Sequence, residues 1–303
     1  MKLLLLAIGV VLLVVERSAG SFDPDLQFTL FLIGIVVLGV PHGAADMLVE
    51  QKQHGQAFRP AYSLIVYVSR LLAFALFLWL FPVLGAALFL IFSAYHFGET
   101  DLTGIRTDNR LGKAVVLFYG IALLGIVLLG HADEVRPILA ALDLTPGQAI
   151  WMEHLFSARL FVLGAAMALF FACCFAYFLL HPEARQHGGD LLARFALLAL
   201  LLHFMPLLLG FTFYFILWHS LLSLSDILRF LRRDGDLTTR TIMGRMALFS
   251  VLALVGIMLL ALVGSLYASA QAMVLAIVIG LAVLTAPHLG VMHGMYARLR
   301  NRA

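Results

Sequence analysis

The chain has 303 residues, 63% of them hydrophobic against 12% charged, with a mean hydropathy of +1.02 and a formal net charge of +3. Those values exclude an ordinary soluble domain. A pI near 9.0 does not point to nucleic acid, because the basic residues fall at the ends of apolar runs, where membrane topology places them.

Apolar runs long enough to cross, or nearly cross, a bilayer lie at about 3–15, 27–47, 61–81, 83–98, 113–130, 159–181, 191–209, 211–228, 245–265 and 271–296. They predict an all-α, polytopic bundle of about ten transmembrane helices forming one integral-membrane domain. The first run is short, follows Lys2 and precedes Ser18-Ala19-Gly20, so residues 1–20 read as a short first span or as a signal peptide. The longest connection, 131–157, is mildly acidic and external. The connection 229–245 carries RFLRRDGD and reads as an anchor beside anionic lipid. Cys173 and Cys174, adjacent within an apolar run, offer neither a disulfide framework nor a metal cage and are assigned to packing.

With a cytoplasmic N-terminus, Arg17, Arg136 and Arg159 fall outside and Arg70 within a span, while the rest of the 20 Lys and Arg residues fall inside. That bias fits ten spans with both termini on the cytoplasmic side of the inner membrane.

Four stretches interrupt the hydrocarbon with imidazoles: PHGAADMLVE (41–50), SAYHFGETD (93–101), FILWHSLLSLSD (215–226) and LTAPHLGVMHG (284–294). They lie on spans two, four, eight and ten, all running from outside to inside. His42, His96, His219 and His288 come roughly 15, 14, 8 and 17 residues into their spans, which places them about 12 to 25 Å from the outer surface. Tilt, or breaks at Pro41, Gly43, Gly98 and Pro287, would have to bring them level.

Each histidine alone is equally well explained by a hydrogen bond between packed helices. As a set they need more, because unsatisfied polar groups in hydrocarbon cost a few kcal/mol each. A shared metal ion is the economical partner. A site of imidazoles without thiolates leans away from structural zinc and toward a redox or catalytic metal. Asp46, four residues after His42, shares a helix face with it and is a candidate to receive its second ring N–H. Glu99, three after His96, is a candidate for the same role or for direct ligation. Asp101 lies nearer the loop, where a solvated helix end accounts for it as well.

His288 and His293 are five residues apart, about 140° around a regular helix, so one of them is not a ligand. The deeper His288, directly after Pro287, is the candidate, and His293 is interfacial. His203, on a span of opposite direction, is expected to pack or to line a cavity. His54, His131, His154, His181 and His187 lie in loops or at span ends.

Around these residues the chain is rich in aromatics, with 24 phenylalanines and the run FTFYFILW at 211–218. Such surface normally faces lipid or packs. Here it leads directly into His219, so Tyr214, Phe215 and Trp218, with Tyr95 and Phe97 beside His96, are candidates to wall in a long, flat, conjugated hydrocarbon.

At PHGAAD (41–46), YHFGETD (95–101), WHS (218–220) and APH (286–288) the sequence resembles the Brp/Blh family of bacterial and archaeal membrane β-carotene 15,15'-dioxygenases. The motifs recur in the family's order across most of the chain. The resemblance implies cleavage of the central double bond of β-carotene by O₂ to give two retinals, on a non-haem Fe(II) held by His42, His96 and His219. It also implies a carotenoid taken from the lipid bilayer, and a functional link to a retinal-binding rhodopsin. The family's third motif usually continues with a basic residue and a second histidine, where this chain has Leu222 and Ser223. A serine hydroxyl is a poor ligand for ferrous iron, which leaves the fourth position to His288, to water, or unfilled.

Two other readings compete. A diiron desaturase or hydroxylase would carry clustered H-x-x-x-H and H-x-x-H-H motifs, and none occurs. A membrane transporter, or an electron-transfer protein binding haem or ions, would also use intramembrane histidines. Inverted repeats would favour transport, whereas these motifs all lie on spans of one direction.

Overall fold

A computed structural model describes residues 1–18, 20, 22–140, 144–233, 238–267 and 270–300. Ala19 of the candidate cleavage stretch, residues 141–143 of the long connection and 234–237 of the basic connection lie outside the described residues. Every described element is helical, as the apolar runs predict. The helices are α1 (Lys2–Ser18), α2 (Pro24–Gly34), α3 (Val40–Gly43), α4 (Asp46–His54), α5 (Pro60–Leu80), α6 (Pro82–Asp101), α7 (Arg110–Leu129) and α8 (Ala132–Leu139). They continue as α9 (Pro146–Ser157), α10 (Arg159–Leu180), α11 (Gly188–Phe204), α12 (Leu207–Phe211), α13 (Ser220–Arg232), α14 (Thr239–Tyr267) and α15 (Ala270–Arg300). Among the described residues, nine helical stretches are long and apolar enough to cross a bilayer; α1, of 17 residues, is shorter. The chain is a multi-pass membrane protein. Large side chains such as Trp79, Phe161 and Phe175 stand out from the helices, as on a surface solvated by acyl chains.

Two wide π-type turns interrupt the spans, Ile35–Gly39 before α3 and Thr212–His219 before α13. The first precedes Pro41, which has no N–H to donate and whose ring crowds the carbonyl four residues back, so a regular turn cannot close there. At the second, the Ser220 hydroxyl donates to the Phe215 carbonyl at 3.0 Å, satisfying an oxygen five residues back. Such turns often mark functional positions. Each one here leads into a candidate histidine.

The long connection 131–157 holds two helices, α8 and α9. The start of α9 is fixed by a reciprocal cap: Gln148 N–H donates to Thr145 Oγ1 at 3.4 Å, and the Thr145 N–H donates to the Gln148 side chain at 3.0 Å, with Pro146 in the first turn.

The chain divides into two compact units. The first comprises Met1–Gly34, Leu90–Arg136 and Leu144–Leu222. In it α7 packs on α10 and α11 around Tyr119, Phe170 and Phe195, with the two phenylalanine rings 4.4 Å apart. Glycines let α6 and α7 touch backbone to backbone: a Cβ at Gly98 would fall on the Val116 carbonyl, and one at Gly120 on that of Ala94. α1 lies against α11 and the second π turn, with Gly9 under the ring of Phe213 and Leu5 and Leu6 in the core. The second unit comprises Ile35–Phe89 and, with a short piece of the long connection, the described chain from Ser223. There α15 packs on α4, α5 and α14. Lys52 and Gln53 of α4 donate to the carbonyls of Leu231 (2.9 Å) and Val291 (3.0 Å).

Candidate active site

Each unit brings two of the four candidate histidines together. In the second unit, the turn before Pro41 and the break at Ala44–Ala45 between α3 and α4 deliver His42 to His288 of α15, with ring centroids 5.1 Å apart and planes at 85°. Both are buried. Asp46 Oδ1 lies 2.7 Å from His288 Nδ1, and Tyr67 of α5 donates its hydroxyl to Asp46 Oδ2 at 3.2 Å.

Asp46 therefore serves the distant histidine rather than its helical neighbour, on which it was expected. The i,i+4 relation with His42 needs an unbroken helix, and the chain turns at Ala44–Ala45; His42 Nδ1 instead lies 3.4 Å from the Leu38 carbonyl. With Nδ1 of His288 held by Asp46, Nε2 is the ring nitrogen left to ligate a metal.

In the first unit, His96 of α6 and His219 at the end of the second π turn are both buried, with centroids 4.8 Å apart and planes at 76°. Two phenylalanines flank His219. Phe97 meets it edge-on at 4.6 Å, and Phe215 lies nearly parallel at 6.1 Å. Glu99 is buried three residues after His96, and Tyr95 is half-buried.

Asp101 is not a solvated helix end: it is 5% exposed, and its carboxylate gathers three side-chain donors. Trp218 Nε1 donates to Oδ1 at 2.8 Å, while the hydroxyls of Tyr119 and Tyr214 donate to Oδ2 at 2.9 and 3.1 Å. Lys2 Nζ donates to the Asp101 carbonyl at 2.6 Å, a cation at the C-terminus of α6. Tyr214 and Trp218, two of the five expected wall residues, thus have their polar ends in the core and are almost wholly buried. Phe97 and Phe215 remain beside the imidazoles, and Tyr95 packs partly buried against the core.

Sequence reasoning missed Tyr67, Tyr119 and Lys2, which lie outside the four motifs. His203, expected to pack or line a cavity, is exposed, its ring edge-on to Phe204. His293 is exposed near the end of α15 and His288 is buried, in line with the choice between them. At the two departures from the family pattern, Leu222 joins the core of the first unit. Ser223 is fully buried, and its hydroxyl has no hydrogen-bond partner among the described residues.

Within either unit, no three His, Cys, Asp or Glu side chains among the described residues form a group able to hold a metal ion by themselves. The donor set still suits one. Both pairs are buried imidazoles in apolar surroundings, and one carries the carboxylate partner that metal-bound histidines usually have.

A family model described as beta-carotene 15,15'-dioxygenase matches residues 33–296, a stretch that includes all four motifs. A protein of an uncultured marine bacterium, 66A03, named beta-carotene 15,15'-dioxygenase, is 24% identical over 261 residues, covering 84% of this chain and 89% of that protein. No solved structure matches significantly.

Proposed function

Since the chain belongs to the beta-carotene 15,15'-dioxygenase family, we propose that it is a membrane enzyme cleaving the central double bond of β-carotene, or of a related carotenoid, with O₂ to give retinal. The observation that carries this reading is the family match across residues 33–296, with buried histidines inside each matched motif. The balance needs no outside reductant: one C=C bond and the O–O bond break, two C=O bonds form, and both oxygen atoms leave in the two aldehydes.

The ligands in this reading are His42, His96, His219 and His288, and the metal is non-haem Fe(II). When bound, ferrous iron supplies the one-electron chemistry that lets triplet O₂ react with a closed-shell polyene. The chain's own residues do the rest. Asp46 holds the His288 ring by its Nδ1 proton, and Tyr67 steadies Asp46. Glu99 orients or supplements the His96 side. Phe97, Phe215 and Tyr95 offer flat apolar faces to the polyene and keep water from it. The substrate enters from the bilayer, and the retinal product suits a retinal-binding rhodopsin as its acceptor. In this reading the protein sits in the inner membrane, and the charge bias supports both termini being cytoplasmic.

Expression in a bacterium that accumulates β-carotene tests the reading: the cells bleach and retinal appears in the extract. His42→Ala is expected to abolish both iron retention and retinal formation. Full activity in that variant would refute the ligand assignment, and unbleached cells expressing folded wild-type protein would refute the activity.

A further inference from the structure

We propose that Asp101 is a positioning residue that sets the rotation of the π-type turn 212–219 through Tyr214 and Trp218, and so aims the His219 imidazole at His96. The inference rests on the assignment of His96 and His219 as metal ligands. It adds a residue that touches neither metal nor substrate.

The argument begins with the turn. A π-type turn is wider than an α-turn and its side-chain directions are less tightly set by backbone hydrogen bonds, so something else must fix where its last residue points. That last residue is His219. Its predecessor Trp218 is held at the indole nitrogen by Asp101 Oδ1, and Tyr214, four residues earlier, is held at its hydroxyl by Oδ2. Two anchors on one rigid carboxylate, four residues apart along the turn, remove both sliding and rotation.

The carboxylate is itself located by α6, the helix that carries His96 and Phe97. The same two segments therefore meet twice, once where His96 and Phe97 face His219 and once where Asp101 takes Trp218 and Tyr214. Tyr119 from α7 and Lys2 from α1 steady Asp101 from two further directions. A buried carboxylate without donors would be costly, and one with three side-chain donors in apolar surroundings is strongly held. Its hydrogen bonds all go to aromatic side chains, so the hub is geometric. An amide of the same shape can replace it by turning its oxygen to Trp218 and its nitrogen to the tyrosine oxygens.

The test uses the full-length protein in detergent, stripped of metal and titrated with Co(II), whose visible absorption reports affinity and ligand geometry independently of turnover. Thermal unfolding by circular dichroism runs in parallel. Trp218→Phe is expected to stay folded, to bind Co(II) at least about tenfold more weakly, as losing a supporting partner of a metal ligand usually does, and to show an altered spectrum. Asp101→Leu is expected to do the same and Asp101→Asn to recover near wild-type affinity. Tyr119→Phe, which removes a donor not on the turn, is expected to lower the unfolding temperature without changing the spectrum.

Wild-type Co(II) affinity and spectrum in Trp218→Phe would overturn the proposal and leave the metal assignment standing. Equal losses in Tyr119→Phe and Trp218→Phe would also overturn it, since the hub would then be general scaffold. If His219→Ala bound Co(II) as wild type does, the metal assignment itself would fall, and this proposal with it.

Discussion

The Tyr67–Asp46–His288 series has a direct energetic reading at the level of single residues. Asp46 and His288 are both buried, so removing the carboxylate takes away the acceptor that lies 2.7 Å from the ring's Nδ1. Asp46→Ala is expected to lower retinal formation and iron content by about 10- to 100-fold, and Tyr67→Phe, which leaves Asp46 on His288, by much less. Metal analysis of purified protein beside retinal assay of whole cells checks both. The four imidazoles were legible in the sequence because a titratable ring in a span is conspicuous against hydrocarbon. Asp101 was not, because its donors Tyr119, Tyr214 and Trp218 come from 18, 113 and 117 residues away and its position at a helix end has an ordinary explanation. Asp46 was recognised but given the wrong imidazole, for want of the backbone break at Ala44–Ala45.

Helices obey a simpler rule here, since length and apolarity sufficed to place the spans, while their irregularities left no trace in hydropathy. The wide turn at 212–219 has the same apolar composition as a regular helix; only Pro41 hinted at its counterpart at 35–39. α9 was legible in principle, because Thr145-Pro146-Gly147-Gln148 is a capping-box signature that the search for spans passed over. Contact between α6 and α7 rests on two glycines, and here space decides the outcome. Gly98→Ala and Gly120→Ala each put a methyl on a backbone carbonyl and are expected to destabilise the protein by about 1–3 kcal/mol. Gly164→Ala, where a Cβ meets nothing within 4 Å, is expected to be neutral or slightly stabilising through helix propensity. Thermal unfolding in one detergent ranks the three.

For the whole molecule, the sequence offered no linker, and the structure explains why two compact units still arise. At three of the five borders, Gly34–Ile35, Phe89–Leu90 and Leu222–Ser223, the chain passes from one unit to the other inside a continuous span, so no change of composition marks them. Topology, by contrast, is written in the loops. A fluorescent protein fused to the C-terminus is expected to glow and alkaline phosphatase at the same point to stay inactive. The reverse pattern would invert every span and every depth assigned to a histidine.

The two wide turns carry a consequence for how such a chain tolerates change. Each accommodates a residue beyond what an α-turn takes, so removing one between Tyr214 and Trp218 would let the helix regularise while changing the spacing of the two side chains anchored on Asp101. Apolar replacements along this stretch at positions other than Tyr214, Trp218 and His219 should be forgiven, whereas a single-codon deletion should silence the protein without unfolding it. Spacing here matters as much as chemistry.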